Sequence, residues 1–180
     1  GDPSCVWQVE QGALRLDRTK GDGTVCFVQI ALPGDLLGLE ALAALNHQAT
    51  AWAIVPCIAR RRHLGHDGER QLVMLEGLLQ AQQRCADLVA SRTGPAQDRL
   101  KTLLVLLASI EDERGDRERP LPTIRDMAAM IDTAPETVSR ILAHLKRTQL
   151  LDGRRRQGAR FNLSRLRDAD WPTGMTRSDG

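Results

Sequence analysis

The sequence predicts an α+β protein with a strand-rich front, two helical stretches in the middle, and a helix-turn-helix with a short hairpin at the end. Three observations predict it. Residues 6–58 fall into short alternating runs broken by glycine and proline turns. Residues 67–92 and 95–110 carry leucines at three- and four-residue spacing. Residues 120–163 hold two short helical patterns joined by a tight turn and followed by an arginine cluster.

At the front, VWQVEQGALRL reads as strand, Lys20-Gly21-Asp22-Gly23 as a turn, and TVCFVQIAL as a further strand. Leu32-Pro33-Gly34-Asp35 marks a sharp turn, for which a structural β-turn is the default reading. TAWAIVPCIA is another strand candidate.

In the long helix, Leu72, Leu75, Leu79, Gln82, Ala86 and Val89 follow the spacing of heptad a and d positions. Val73, Leu78, Cys85 and Leu88 form a second apolar face. A helix apolar on two sides buries both, so one face is expected on the chain's own strands and the other on a second copy. The next helix opens at Pro95 after Gly94, and Leu100, Leu103, Leu104, Leu107 and Ile110 are expected to pack on the C-terminal part. EDERGDRERP (111–120) then reads as a charged linker and hinge.

Thr123 is the expected N-cap of a helix carrying Ile124, Met127, Ala128 and Ile131. Asp132-Thr133-Ala134 makes the turn, and Pro135 suits the first position of the following helix. That helix buries Val138, Ile141, Leu142 and Leu145 and turns Glu136, Thr137, Ser139, Arg140, Lys146 and Arg147 outward. Arginine bonds guanine O6 and N7, glutamate accepts from cytosine N4, and serine serves either kind of base, so this exposed first turn suits major-groove reading. An ordinary solvated helix face is the competing reading. It requires the short turn, the proline start and the downstream arginines to coincide by chance.

Leu150 and Leu151 read as a short strand, Asp152-Gly153 as a turn leading into Arg154, Arg155 and Arg156, and Gly158 with Phe161 and Leu163 as a return strand. Arginines on such a wing contact phosphates. From residue 120 onward there are eleven Lys and Arg against seven Asp and Glu, a net +4, while the whole chain is only +2. The positive end therefore coincides with the expected double-stranded DNA surface.

The stretch TIRDMAAMIDTAPETVSRILAHLKRTQLL resembles the DNA-binding domain of the CRP/FNR superfamily of bacterial transcription regulators. Glu136-x-x-Ser139-Arg140 is similar to the reading motif of the FNR branch, and Pro135 stands where the CRP branch carries a further arginine. The resemblance implies that Arg140 reads a guanine, Glu136 the cytosine side of a pair, and Ser139 a thymine, in a palindrome of TTGAT-like half-sites. It implies backbone contacts from Thr123, Thr133, Thr137, Lys146, Arg147, Arg154, Arg155 and Arg156. It also implies a homodimer joined through Leu72, Leu75, Leu79, Gln82, Ala86 and Val89, an RNA polymerase partner, and a cytoplasmic, nucleoid-associated location. Two recognition helices about 34 Å apart would then meet one palindrome.

By the same resemblance, residues 1–66 are a partial cyclic-nucleotide-binding-type β-barrel, 67–93 a dimerisation helix, and 94–119 a connecting helix and linker. Residues 120–168 are a winged helix-turn-helix, and 169–180 a tail. GDPSCVWQVE enters a strand almost at once, so the first strands of a family-like sensor are expected to be absent, through shortening or natural reduction. PGDLLGLEAL resembles the family's phosphate-cradling turn and short helix, but Leu39 stands where nucleotide binders carry a ribose-binding glutamate and Ala49 where they carry an arginine. A buried phosphate would lack its guanidinium, which argues against cyclic AMP. LLGLEAL resembles the FNR branch more closely, which implies a redox or gas signal, with a signal-independent regulator as the alternative.

Cys5, Cys26, Cys57 and Cys85 show no Cys-x-x-Cys spacing, so four small core hydrophobes is the favoured reading. Cys57 alone matches a position that is an iron–sulfur ligand in oxygen-sensing relatives, and the other three ligands of that cluster are not in this chain. His47, His63 and His66 offer no identifiable second metal ligand, although some members of the family bind haem. His144, on the reading helix, is expected to pack or face solvent.

Aromatic residues make up 3% of the chain against 42% hydrophobic overall, so its cores must be aliphatic. No run reaches the ~18–20 apolar residues of a membrane span, and no secretory signal opens the chain. There is no nucleophile–base pairing, Walker loop or carboxylate pair to support an enzyme, which leaves a DNA-binding regulator or a protein-interaction module.

Overall fold

A computed structural model describes residues 5–63, 67–108, 118–155 and 158–160. The chain divides into two compact units, residues 1–90 with 120–122, and residues 91–119 with 123–180.

In the first unit the strands are β1 (Val6–Gln11), β2 (Leu14–Thr19), β3 (Val25–Ala31), β4 (Leu36–Leu37), β5 (Thr50–Ala53) and β6 (Ile58–Arg62). They form two antiparallel three-stranded sheets, β4-β1-β6 and β3-β2-β5. The run 6–16 is two strands in different sheets because Gly12 turns between them at φ 79°. A Cβ there would lie 2.0 Å from the Pro56 carbonyl oxygen, so only glycine fits. TAWAIVPCIA is likewise two strands rather than one: Pro56 has no N–H to give a ladder, and pairing resumes at Ile58.

The turn at Pro33–Gly34 is held by Asp35, whose Oδ2 accepts from the Leu32 amide at 2.8 Å. A short 3₁₀ turn, Leu39–Ala43, follows β4. Val6, Leu36 and Val73 form one buried cluster, and Val9, Leu14 and Ala31 another.

Helix α1 (Asp67–Ala90) lies on this unit by the stripe Val73, Gly77, Gln80 and Arg84, at helical spacing. A Cβ on Gly77 would lie 2.5 Å from Leu39 Cδ1, so a larger residue there would push the Leu39 side chain aside. Gln80 donates to the Gly34 carbonyl at 3.0 Å and accepts from the Leu36 amide at 3.1 Å. The expected inner face of Val73, Leu78, Cys85 and Leu88 is therefore only partly right. Leu78 is 54% exposed and Cys85 is exposed, because five residues beyond Val73 the helix has rotated by about 140°. Cys5 is buried, Cys26 and Cys57 are half-buried, and Cys5 and Cys57 lie just outside strands rather than on them.

The second unit contains α2 (Ala96–Ala108), α3 (Ile124–Met130) and α4 (Pro135–Arg147), with β8 (Asp152–Arg155) and β9 (Gly158–Arg160). β7 (Glu118–Pro120) ends on Pro120 of the first unit, and the sheet order is β7-β9-β8. The core of the second unit is aliphatic as composition requires: Leu100, Leu103, Leu104 and Leu107 of α2 are buried, as are Met127, Met130, Val138, Ile141 and Leu145. Ile110 and residues 111–117 lie outside the described residues, and Glu118–Pro120 is a strand where the sequence reads as linker.

Candidate nucleic-acid interface

Helix α3 begins where Thr123 caps it. The Thr123 Oγ1 accepts from the Asp126 amide at 3.1 Å and donates to Asp126 Oδ2 at 2.7 Å, so this hydroxyl, a candidate phosphate contact, already has two partners. At the far end the Thr133 amide reaches back to the Ala128 carbonyl at 3.0 Å, and Asp132 takes φ 51°. This is a Schellman end with aspartate in the place usually given to glycine. It carries the chain round to Pro135, the first residue of α4, behind the N-cap position Ala134.

Helix α4 is amphipathic. Val138, Ile141 and Leu145 are buried as it packs on α3 and α2, while Leu142 is only half-buried. Glu136, Ser139 and Arg140 are exposed together on its first two turns, and Lys146 and Arg147 are exposed at its end. Thr133 and Thr137 are half-buried. An acid, a hydroxyl and a guanidinium thus share one solvent-facing patch at the N-terminal end of a rigid helix. His144 is half-buried, with Nδ1 3.3 Å from Arg147 Nη2.

Past α4, Leu151 is buried and the hairpin begins at Asp152, not at Leu150. Asp152 pairs with Arg160 and Arg155 with Gly158, so Asp152-Gly153 is strand rather than turn. Leu151 is taken up by the core, which starts the strand later than the hydrophobic pattern suggests. Arg154 and Arg155 lie on β8; Arg156, Phe161 and Leu163 are outside the described residues.

Two residues escaped the sequence reading. Arg92 Nε donates to the Met130 carbonyl at 3.0 Å and its Nη2 to Ala129 at 3.3 Å. Arg99 Nη1 donates to the carbonyls of Ile131 at 2.7 Å and Asp132 at 2.8 Å. The only signal in the sequence was indirect: α3 ends without a glycine, so its last carbonyls need donors from elsewhere.

In the first unit, Leu72, Leu75, Leu79, Gln82, Ala86 and Val89 of α1 are all exposed. Leu39 and Ala49 line a cavity of about 730 Å³ together with Trp7, Leu16, Glu40 and His47. Among the described residues no lysine or arginine lines it, and Glu40 in its wall lies 3.6 Å from His47 Nδ1. Among the described residues no group of three His, Cys, Asp or Glu could hold a metal ion, and burial pushes the Cys57 thiol up.

Residues 98–169 match the Crp-like helix-turn-helix domain. Over 150 residues the chain is 35% identical to the nitrogen fixation regulation protein FixK of Rhizobium meliloti, covering 81% of this chain and 68% of that protein. It is 26% identical over 152 residues to the transcriptional regulator LdrP of Thermus thermophilus, covering 81% of this chain and 77% of LdrP. Among solved structures, FixK2 of Bradyrhizobium japonicum superposes with a TM-score of 0.72 at 24% identity, covering 96% of this chain and 90% of that one. A CRP-family regulator of Thermus thermophilus also gives 0.72, at 23% identity, covering 92% and 87%.

Proposed function

We propose, from the premise that this chain belongs to the CRP/FNR family of DNA-binding transcription regulators and is not an enzyme, that it reads inverted TTGAT-like half-sites as a homodimer. One observation carries the reading: Glu136, Ser139 and Arg140 stand exposed together at the start of α4. Arg140 bonds guanine, Glu136 accepts from cytosine and Ser139 meets thymine. Thr133, Thr137, Lys146, Arg147 and the wing arginines Arg154, Arg155 and Arg156 hold the phosphates, which sets affinity without sequence. The exposed apolar stripe of α1, from Leu72 to Val89, is the surface on which the second copy packs. Such a dimer acts at the nucleoid and works through RNA polymerase.

The signal in this reading is a redox or gaseous input and not cyclic AMP. The FNR-type reading set favours that class of input, and Leu39, Ala49 and Glu40 supply no counter-charge for a phosphate.

The test is anisotropy of a labelled duplex holding two inverted TTGAT-like half-sites, against a scrambled duplex, in air and anaerobically. Selective binding by the wild type, with Arg140→Ala costing about 1–3 kcal/mol at its guanine alone, is the expected result. Equal loss on both duplexes would remove the role assigned to Arg140. Enhanced binding with added cyclic AMP would remove the reading of the cavity.

A further inference from the structure

Four consecutive carbonyls at the end of α3, from Ala129 to Asp132, are met by two arginines that precede or open α2. A helix C-terminus concentrates orphan carbonyls and the negative end of the macrodipole, so a guanidinium there satisfies both at once. Arg99 is the more consequential of the two. Its Nη1 bridges Ile131 and Asp132, the residues at which the chain leaves α3, and Asp132 holds the left-handed φ of 51° that a non-glycine residue resists. Three residues later α4 starts at Pro135, and Glu136 follows. A change in the dihedrals of Asp132 would swing the whole first turn of α4.

We propose that Arg99 is a positioning residue for sequence reading: by bridging the carbonyls of Ile131 and Asp132 it fixes the turn that aims Glu136, Ser139 and Arg140, without touching DNA. This rests on the reading of α4 as the base-contacting helix. It separates specificity from contact, because losing the bridge disturbs every base that α4 reads at once, whereas losing Arg140 disturbs one.

The whole chain is compared as wild type, Arg99→Met, Arg99→Lys and Arg140→Ala. Amide exchange is followed at Thr133, Thr137 and Val138, and binding is measured on half-sites altered one base pair at a time. Arg99→Met keeps the aliphatic stem but no donor, and is expected to speed exchange at those amides about tenfold while Leu103 and Leu104 stay protected. It also flattens discrimination at every pair read by α4 and leaves scrambled-duplex affinity unchanged. Arg99→Lys, with a charged donor restored, falls between it and the wild type. Arg140→Ala loses discrimination at one pair and leaves exchange as it was. A cooperatively folded Arg99→Met with wild-type exchange and discrimination overturns the proposal. Should Arg99→Met not melt cooperatively, Arg99→Lys decides by the same comparison. If the wild type itself does not discriminate, the base-reading assignment fails, and the exchange rates alone decide whether Arg99 fixes the helix.

Discussion

Arg84 on α1 grips Asp35 across 49 residues of sequence, with Nε donating to Oδ2 at 2.6 Å and Nη2 to Oδ1 at 3.2 Å. Burial by itself would lower the pKa of Arg84, but the bonds to Asp35 and Asp87 override it and hold the guanidinium above its ordinary value. The same Asp35 caps the Pro33–Gly34 turn, so one carboxylate ties that turn to the long helix.

Replacing Asp35 by alanine therefore removes a helix contact and a turn cap together. Stripping a buried charge of its only partner costs ~3–5 kcal/mol, and because Asp87 still holds Arg84 at 2.7 Å the expected loss is nearer 2–3 kcal/mol. Urea unfolding should show a lower midpoint at an unchanged slope. A loss below about 0.5 kcal/mol, as for an ordinary surface substitution, would deny the pair its structural role.

Leu79 is 59% exposed in the middle of the α1 stripe, next to Leu72 at 69% and Leu75 at 56%. Leu79→Glu should shift the protein from dimer to monomer in sedimentation velocity and weaken binding to the two-half-site duplex far more than to a single half-site. A variant that stays dimeric would move the interface elsewhere.

Thr123→Ala removes the cap of α3. The expected cost is about 1 kcal/mol, which lowers the urea midpoint by roughly 0.3–1 M. Thr123→Ser should recover most of it, since serine keeps the hydroxyl that bonds the Asp126 amide.

Burial raises the Cys57 thiol above its usual 9.0, so the folded chain holds that proton to higher pH than the unfolded chain. The resulting stability is complete below pH 9.0 and is lost as pH climbs through the folded value. With Cys5 buried and Cys85 exposed, iodoacetamide at pH 8 should modify Cys85 about tenfold faster than Cys57 or Cys5, as read by peptide mass. Cys57 reacting first would refute this ordering.

Arg155, on β8, is expected to contribute to all duplexes alike. Arg155→Ala should reduce the slope of log affinity against log salt by about 0.9 for each phosphate it no longer neutralises, with the specific-to-scrambled ratio held. A fall in that ratio would make Arg155 a base reader.

The sequence by itself determined the helix-turn-helix closely. Thr123 as cap, Pro135 as first residue of α4, and the buried series Val138, Ile141 and Leu145 follow from local rules of capping, backbone restriction and 3.6-residue periodicity, which neighbours in sequence decide among themselves. The exposed face of Glu136, Ser139 and Arg140 is the complement of that buried series. What depended on partners far along the chain was decided only by the tertiary structure. That Gly12 must stay glycine is set by the fold, which brings the Pro56 carbonyl to where a Cβ would stand. Val73, Gly77, Gln80 and Arg84 became the inner face of α1, although two of them are polar, because the turn at Pro33–Asp35 offers them a carbonyl, an amide and a carboxylate. The end of α3 is legible as the turn Asp132-Thr133-Ala134, but the donors that meet its last carbonyls arrive from Arg92 and Arg99, more than thirty residues upstream. Periodicity reports which side of an element is apolar; which polar groups find one another waits until the chain has folded.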